Sequence, residues 1–120
     1  GISDECLIQV SYAIGVANNL NLYVNTFNKS NLSINDKKIA EIVSSLYDFR
    51  PYVIEKKLNL RNPIFYETAS YGHFGRCNKI IEKSFNNDKK IKVELFTWEK
   101  LDYVEILKKH FKKYYKNEAE

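Results

Sequence analysis

The residues best suited to chemistry in this 120-residue chain lie in one short run, Gly72-His73-Phe74-Gly75-Arg76. An imidazole and a guanidinium three residues apart, set among glycines, could present a cation and a proton-transfer group to an anion. The same run also reads as a tight turn, with the glycines permitting the bend and His73 bonded to backbone. It is no phosphate cradle, because neither G-x-x-x-x-G-K-[ST] nor G-x-G-x-x-G occurs. His110 sits in a lysine-rich stretch and reads as a surface residue. Glu41, Asp48, Glu55 and Glu67 are scattered, so no pair stands out as general acid and base and no carboxylate metal set can be picked out. No serine occupies a G-x-S-x-G elbow. Cys6 and Cys77 have no second thiol at C-x-x-C spacing, which favours buried or incidental thiols in a reduced, cytoplasmic chain over metal binding or a disulfide framework.

The elements that must position these groups follow from periodicity. Residues 7–15 alternate, with Ile8, Val10, Tyr12 and Ile14 on one face, and read as a strand ended by Gly15. Residues 20–27 alternate again, with Leu20, Leu22 and Val24 on one side. The connection Val16-Ala17-Asn18-Asn19 then makes an antiparallel pair. Asn35 or Asp36 can cap a helix running to about Asp48, since Ile39, Ile42, Val43 and Leu46 share a helical face. Arg50-Pro51 interrupts it, and Pro51 opens a second helix carrying Ile54 and Leu58. Residues 64–71 form an apolar connector of ambiguous structure, and residues 77–95 show no clear period. A final helix over about 101–115 places Leu101, Val104, Leu107, Phe111 and Tyr114 on one face. The pattern predicts an α+β fold, a mixed or antiparallel sheet with helices packed on one face.

Composition bounds the rest. At 44% hydrophobic and 28% charged, the chain resembles one small globular domain with one core. No apolar run approaches a membrane span, and the polar, acidic start is not a secretory signal. The formal charge is +4, much of it in the run from Lys108 to Lys116 with interleaved aromatics. That run reads as a solvated lysine face backed by a buried aromatic stripe. The alternative is a basic, aromatic-rich module for single-stranded nucleic acid. The sequence contains no Met and begins in mid-pattern, as expected of a piece of a longer polypeptide.

Three stretches, in order, carry a family likeness. Residues 9–17 (Gln-Val-Ser-Tyr-Ala-Ile-Gly-Val-Ala) resemble the "QVSYAIGVA" strand of S-adenosylmethionine synthetases. Residues 47–51 (Tyr-Asp-Phe-Arg-Pro) resemble that family's "FDLRP", with Phe49 for leucine. Residues 62–76 are similar to "xPIYxxTAAYGHFGR", and Trp98-Glu99-Lys100 to the following "PWEK", with Thr97 in place of proline. The resemblance implies a single C-terminal domain over 1–120, one of three similar domains, with a loop insertion at 77–95. It implies a transferase that makes S-adenosylmethionine from ATP and methionine. Such an enzyme uses Mg2+ and K+ and works as a homodimer or tetramer, with no nucleic acid or membrane partner. The family's Gly-rich "GGGAFSGKD" motif is absent here, so this chain alone is expected to be inactive and to bind neither metal. The one substrate-binding residue that carries over is Ile14, an apolar wall beside the nucleoside or methionine; on a strand face it would serve equally as core. His73 and Arg76 fall within a family motif and are read as holding the loop. A missing upstream segment further implies an uncovered apolar face and self-association.

Overall fold

The computed structural model describes residues 1–85 and 89–116, and only the backbone of residues 17–20. Among the described residues the fold is α+β, with two antiparallel two-stranded sheets and three α-helices. The chain forms two compact units, residues 1–50 with 102 onward, and residues 51–101.

In the first unit, β1 (Leu7–Ala13) pairs with β2 (Val16–Asn25). The turn is Ile14-Gly15, tighter than the expected loop at 16–19. Gly15 has φ +80°, a left-handed conformation that glycine adopts without a Cβ clash. Ala13 faces Val16 while Tyr12 faces Leu20, so the extra residues are absorbed as an irregularity in the ladder. Asn18-Asn19 therefore lies within β2 and makes no turn, and the side chain of Leu20 lies outside the described residues.

The helix α1 (Asp36–Leu46) starts as its composition dictates, with Asn35 Oδ1 accepting from the Lys38 N–H at 2.9 Å. Asp36 does a different job. Its carboxylate accepts from Thr26 N–H (2.9 Å) and Thr26 Oγ1 (2.6 Å), tying the end of β2 to the start of α1. Ile39, Ala40 and Val43 are buried against Val24, Leu32 and Phe111. The helix stops at Leu46, short of Asp48, and Tyr47 stacks on Tyr103 (4.3 Å) and Phe49 (5.7 Å). The last helix, α3 (Val104–Phe111), is shorter than expected and continues as a 3-10 turn, Lys112–Tyr114. Leu101 is exposed and precedes the helix, because the chain passes between the two units at 101–102. Phe111 is fully buried and Leu107 and Tyr114 pack on the same core, leaving the lysines outside. The chain is then pinned by Ser33 N–H to Tyr114 O (2.7 Å) and Lys116 N–H to Asn31 O (2.9 Å).

In the second unit, Pro51 opens α2 (Pro51–Lys57) as expected. The ambiguous connector contains a 3-10 turn, Tyr66–Ala69. Residues 77–95, which showed no period, hold a second hairpin of β3 (Lys79–Phe85) and β4 (Lys89–Leu95); residues 86–88 of that segment lie outside the described residues. Val93 and Leu95 of β4 are buried with Ile64 and Phe96, and Ile81, Ile91 and Trp98 pack around them. This hairpin supplies half of a core. The sheet expected as one is therefore two hairpins, each closing the core of its own unit.

Candidate functional site

Ile14 is the first residue of the β1–β2 turn. Only Gly15 of the turn pair has positive φ, a type II-like pattern. Such a turn fits the strand twist less well than a primed turn, and the register breaks beside it. The result is a tip from which Ile14 projects with 104% relative exposure. Within this chain it lies neither on a strand face nor in a core. An isoleucine so placed offers only an apolar contact, and a second surface must cover it for that contact to count.

The other expected residues belong to the second unit. Arg76 organises its loop: its Nη1 donates to the carbonyls of Ser70 (2.7 Å), Gly72 (3.0 Å) and Glu67 (3.3 Å). Its guanidinium lies 4.5 Å over the Phe96 ring, and its backbone N–H donates to Glu99 Oε1 at 3.1 Å. Left-handed Tyr71 and Gly72 allow the chain to curl around that fork. Trp98 Nε1 donates to His73 O (2.7 Å), and the exposed His73 ring lies beside Trp98, Phe65 and Phe74. His73 thus contributes a backbone acceptor and a ring contact, and Arg76 holds the loop.

Each scattered acid has a cation of its own. Glu41 pairs with Lys38 (3.0 Å), Asp48 with Arg50 (2.6 Å), Glu55 with Arg61 (2.5 Å) and Glu67 with Lys83 (2.9 Å). Hydrogen bonds from the Arg50 side chain and N–H hold Asp48 below the usual carboxylate range. Burial pushes the Glu67 carboxyl up. The Lys83 hydrogen bond, its own backbone N–H and the charges of Lys83 and Lys79 outweigh that and keep it low. Among the described residues no three His, Cys, Asp or Glu side chains gather as a group that could hold a metal ion. Cys6 and Cys77 are both exposed and free, so of the buried or incidental thiols expected they are the incidental kind. His110 is exposed as expected, its Nδ1 at 2.9 Å from Ile106 O. Among the described residues no helix is long and apolar enough to cross a membrane.

Lys83 was missed in the sequence. It faces inward on β3 opposite Ile91, and its ammonium donates to Pro63 O (2.7 Å) as well as to Glu67. A lysine on the apolar face breaks the alternation that would have revealed the strand.

The comparisons agree with the motifs. The family described as S-adenosylmethionine synthetase, C-terminal domain, matches residues 1–100. The chain is 57% identical over 115 aligned residues to an S-adenosylmethionine synthase of Cytophaga hutchinsonii, and 53% to one of Phocaeicola vulgatus. That of Bacteroides thetaiotaomicron is 50% identical. Each alignment covers 92% of this chain and 27% of the relative, so the chain spans about a quarter of the length of these relatives. The nucleic-acid module is not favoured, since the matching family and the relatives are S-adenosylmethionine synthetases. The chain belongs to the S-adenosylmethionine synthetase family, as its C-terminal domain.

Proposed function

We propose that this chain serves as the C-terminal domain of a methionine adenosyltransferase, which forms S-adenosylmethionine, phosphate and pyrophosphate from ATP, methionine and water. Alone it turns nothing over. In the complete enzyme the methionine sulfur attacks the ribose 5′ carbon, the triphosphate leaves, and water then cleaves it. The groups that neutralise triphosphate, with Mg2+ and K+, belong in this reading to other domains of the same polypeptide. The enzyme is cytoplasmic and works as a homodimer or tetramer. The β3–β4 hairpin within 77–95, read as an insertion, has the structural part of closing a core.

One observation carries the site reading: Ile14 stands fully exposed at a hairpin tip, where only a contact from another surface can use it. Placed across a subunit interface, its side chain forms an apolar wall that excludes water beside the nucleoside or methionine. The test has two arms. The purified 120-residue chain should form no S-adenosylmethionine, and turnover above background would overturn the reading. In the complete enzyme carrying this domain, Ile14→Ala should lower kcat/KM by roughly tenfold, the value of about 1–2 kcal/mol of lost apolar contact. Unchanged kinetics would remove Ile14 from the site.

A further inference from the structure

We infer, on the reading of Ile14 proposed above, that Tyr12 is the residue that positions it, its hydroxyl bracing the hairpin against the backbone at Phe49. The Tyr12 hydroxyl donates to the Phe49 carbonyl at 2.6 Å, across 37 residues of sequence. Tyr12 stands opposite Leu20, the last pair before the register of β1 and β2 shifts. Beyond it lie only Ala13 and the turn, where Gly15 at φ +80° is the residue type of widest conformational range. Ile14, at 104% exposure, has no packing of its own to fix its direction. The direction of the tip is therefore set at Tyr12, two residues away.

The accepting end of this brace is itself held. Tyr12 shares a sheet face with Ile8 and Val10, opposite Leu22 and Val24, and that face packs on α1. Its phenol thereby reaches the segment that follows the helix. There the Tyr47 N–H closes α1 on Val43 O at 3.0 Å, and the Tyr47 ring stacks on both Phe49 and Tyr103. Phe49 packs on the first unit's core. Asp48 accepts from the Arg50 N–H (3.0 Å) and guanidinium (2.6 Å), which ties the backbone on either side of Phe49. Because the acceptor is a main-chain carbonyl, phenylalanine in place of leucine at 49 leaves the bond intact. Tyr12 is 49% exposed, so water would satisfy its hydroxyl and burial does not require the bond. Removing the hydroxyl therefore frees the tip while costing the fold little.

The experiment is a double-mutant cycle of Tyr12→Phe and Ile14→Ala in the complete enzyme carrying this domain. Tyr12→Phe keeps the ring and should raise the KM for ATP or methionine about fivefold, the worth of one neutral hydrogen bond. An apolar wall acts on bound substrate and transition state alike, so kcat should stay within about twofold. The thermal midpoint should stay within about 2 °C of wild type. In the Ile14→Ala background Tyr12→Phe should add no more than about 1.5-fold, because the side chain it positions is gone. Impaired Ile14→Ala beside an unaffected Tyr12→Phe overturns this inference alone. So does a Tyr12→Phe loss that repeats in full on Ile14→Ala, which would mean that Tyr12 acts by another route. A lowered midpoint and kcat with KM unchanged would make Tyr12 part of the scaffold and overturn it too. Ile14→Ala with wild-type kinetics removes the reading of Ile14 itself, and the role of Tyr12 falls with it.

Discussion

Replacing Arg76 with alanine tests how the 70–76 loop is held. The substitution removes the two short bonds to Ser70 and Gly72 at 2.7 and 3.0 Å, a longer one to Glu67 at 3.3 Å, and the cation over Phe96 at 4.5 Å. The acceptor carbonyls of Ser70 and Gly72 are exposed, so water replaces the lost donor and each bond is worth about 1 kcal/mol. The guanidinium over Phe96 adds about 0.5–1 kcal/mol. The expected cost to the second unit is therefore roughly 2–3 kcal/mol, a large share of a small domain's margin of about 5–15 kcal/mol.

The chain supplies its own probe, because its single tryptophan, Trp98, donates to His73 O within the loop that Arg76 holds. Urea unfolding followed by Trp98 fluorescence should shift its midpoint down by roughly 2–3 M, taking a slope near 1 kcal/mol per M. Arg76→Lys keeps the charge but loses the planar fork, and should lose at least about half of that stability. A midpoint within about 0.5 M of wild type for Arg76→Ala, with an unchanged emission spectrum, would refute the stapling argument.

Three further outcomes follow from packing and charge. The Glu67 carboxyl titrates below its ordinary 4.5 in the folded chain, so its contribution is fully present above that value. It is lost as pH falls through the lower folded value, and Glu67→Gln should flatten the acid limb of a stability–pH profile. Phe111→Ala empties a fully buried site and should cost about 3–5 kcal/mol, read as unfolding of the first unit by circular dichroism. Thr97→Pro restores the family residue but removes the bond from Thr97 Oγ1 to Leu58 O (2.7 Å). It also sets a proline after left-handed Phe96 (φ 52°), so a loss of about 2–3 kcal/mol is expected in thermal denaturation.

What could be read from the sequence was what local chemistry decides. Asn35 caps α1 and Pro51 opens α2 because both effects act within one turn of helix. The β1–β2 turn was displaced because Asn18-Asn19 has turn composition, yet Gly15 needs no company to reverse the chain. The β3–β4 hairpin was illegible for a different reason. Lys79 and Lys83 stand on its inner face, and Lys83 is tolerated there because Pro63 O and Glu67, distant in sequence, accept hydrogen bonds from its ammonium. Alternation cannot report a strand whose exceptions are stabilised from elsewhere in the chain.

The same logic explains why Ile14 needed a motif to be noticed. A strand-face isoleucine and a tip isoleucine have the same alternating neighbours, and only the position of the turn separates them. With the turn at Ile14-Gly15 the side chain gains nothing from its own fold, since no residue of its unit covers it. An exposed isoleucine at a tight turn is neutral for stability, and a polar residue would serve the turn as well. The fold of this chain therefore gives no reason for isoleucine at this position, and the proposed contact with another surface would supply one. That separates two measurements: Ile14→Ala should leave the unfolding midpoint of the isolated chain within about 0.5 kcal/mol of wild type, while lowering kcat/KM in the complete enzyme. A substitution that destabilised the chain and left the kinetics alone would mean that the tip is part of the scaffold.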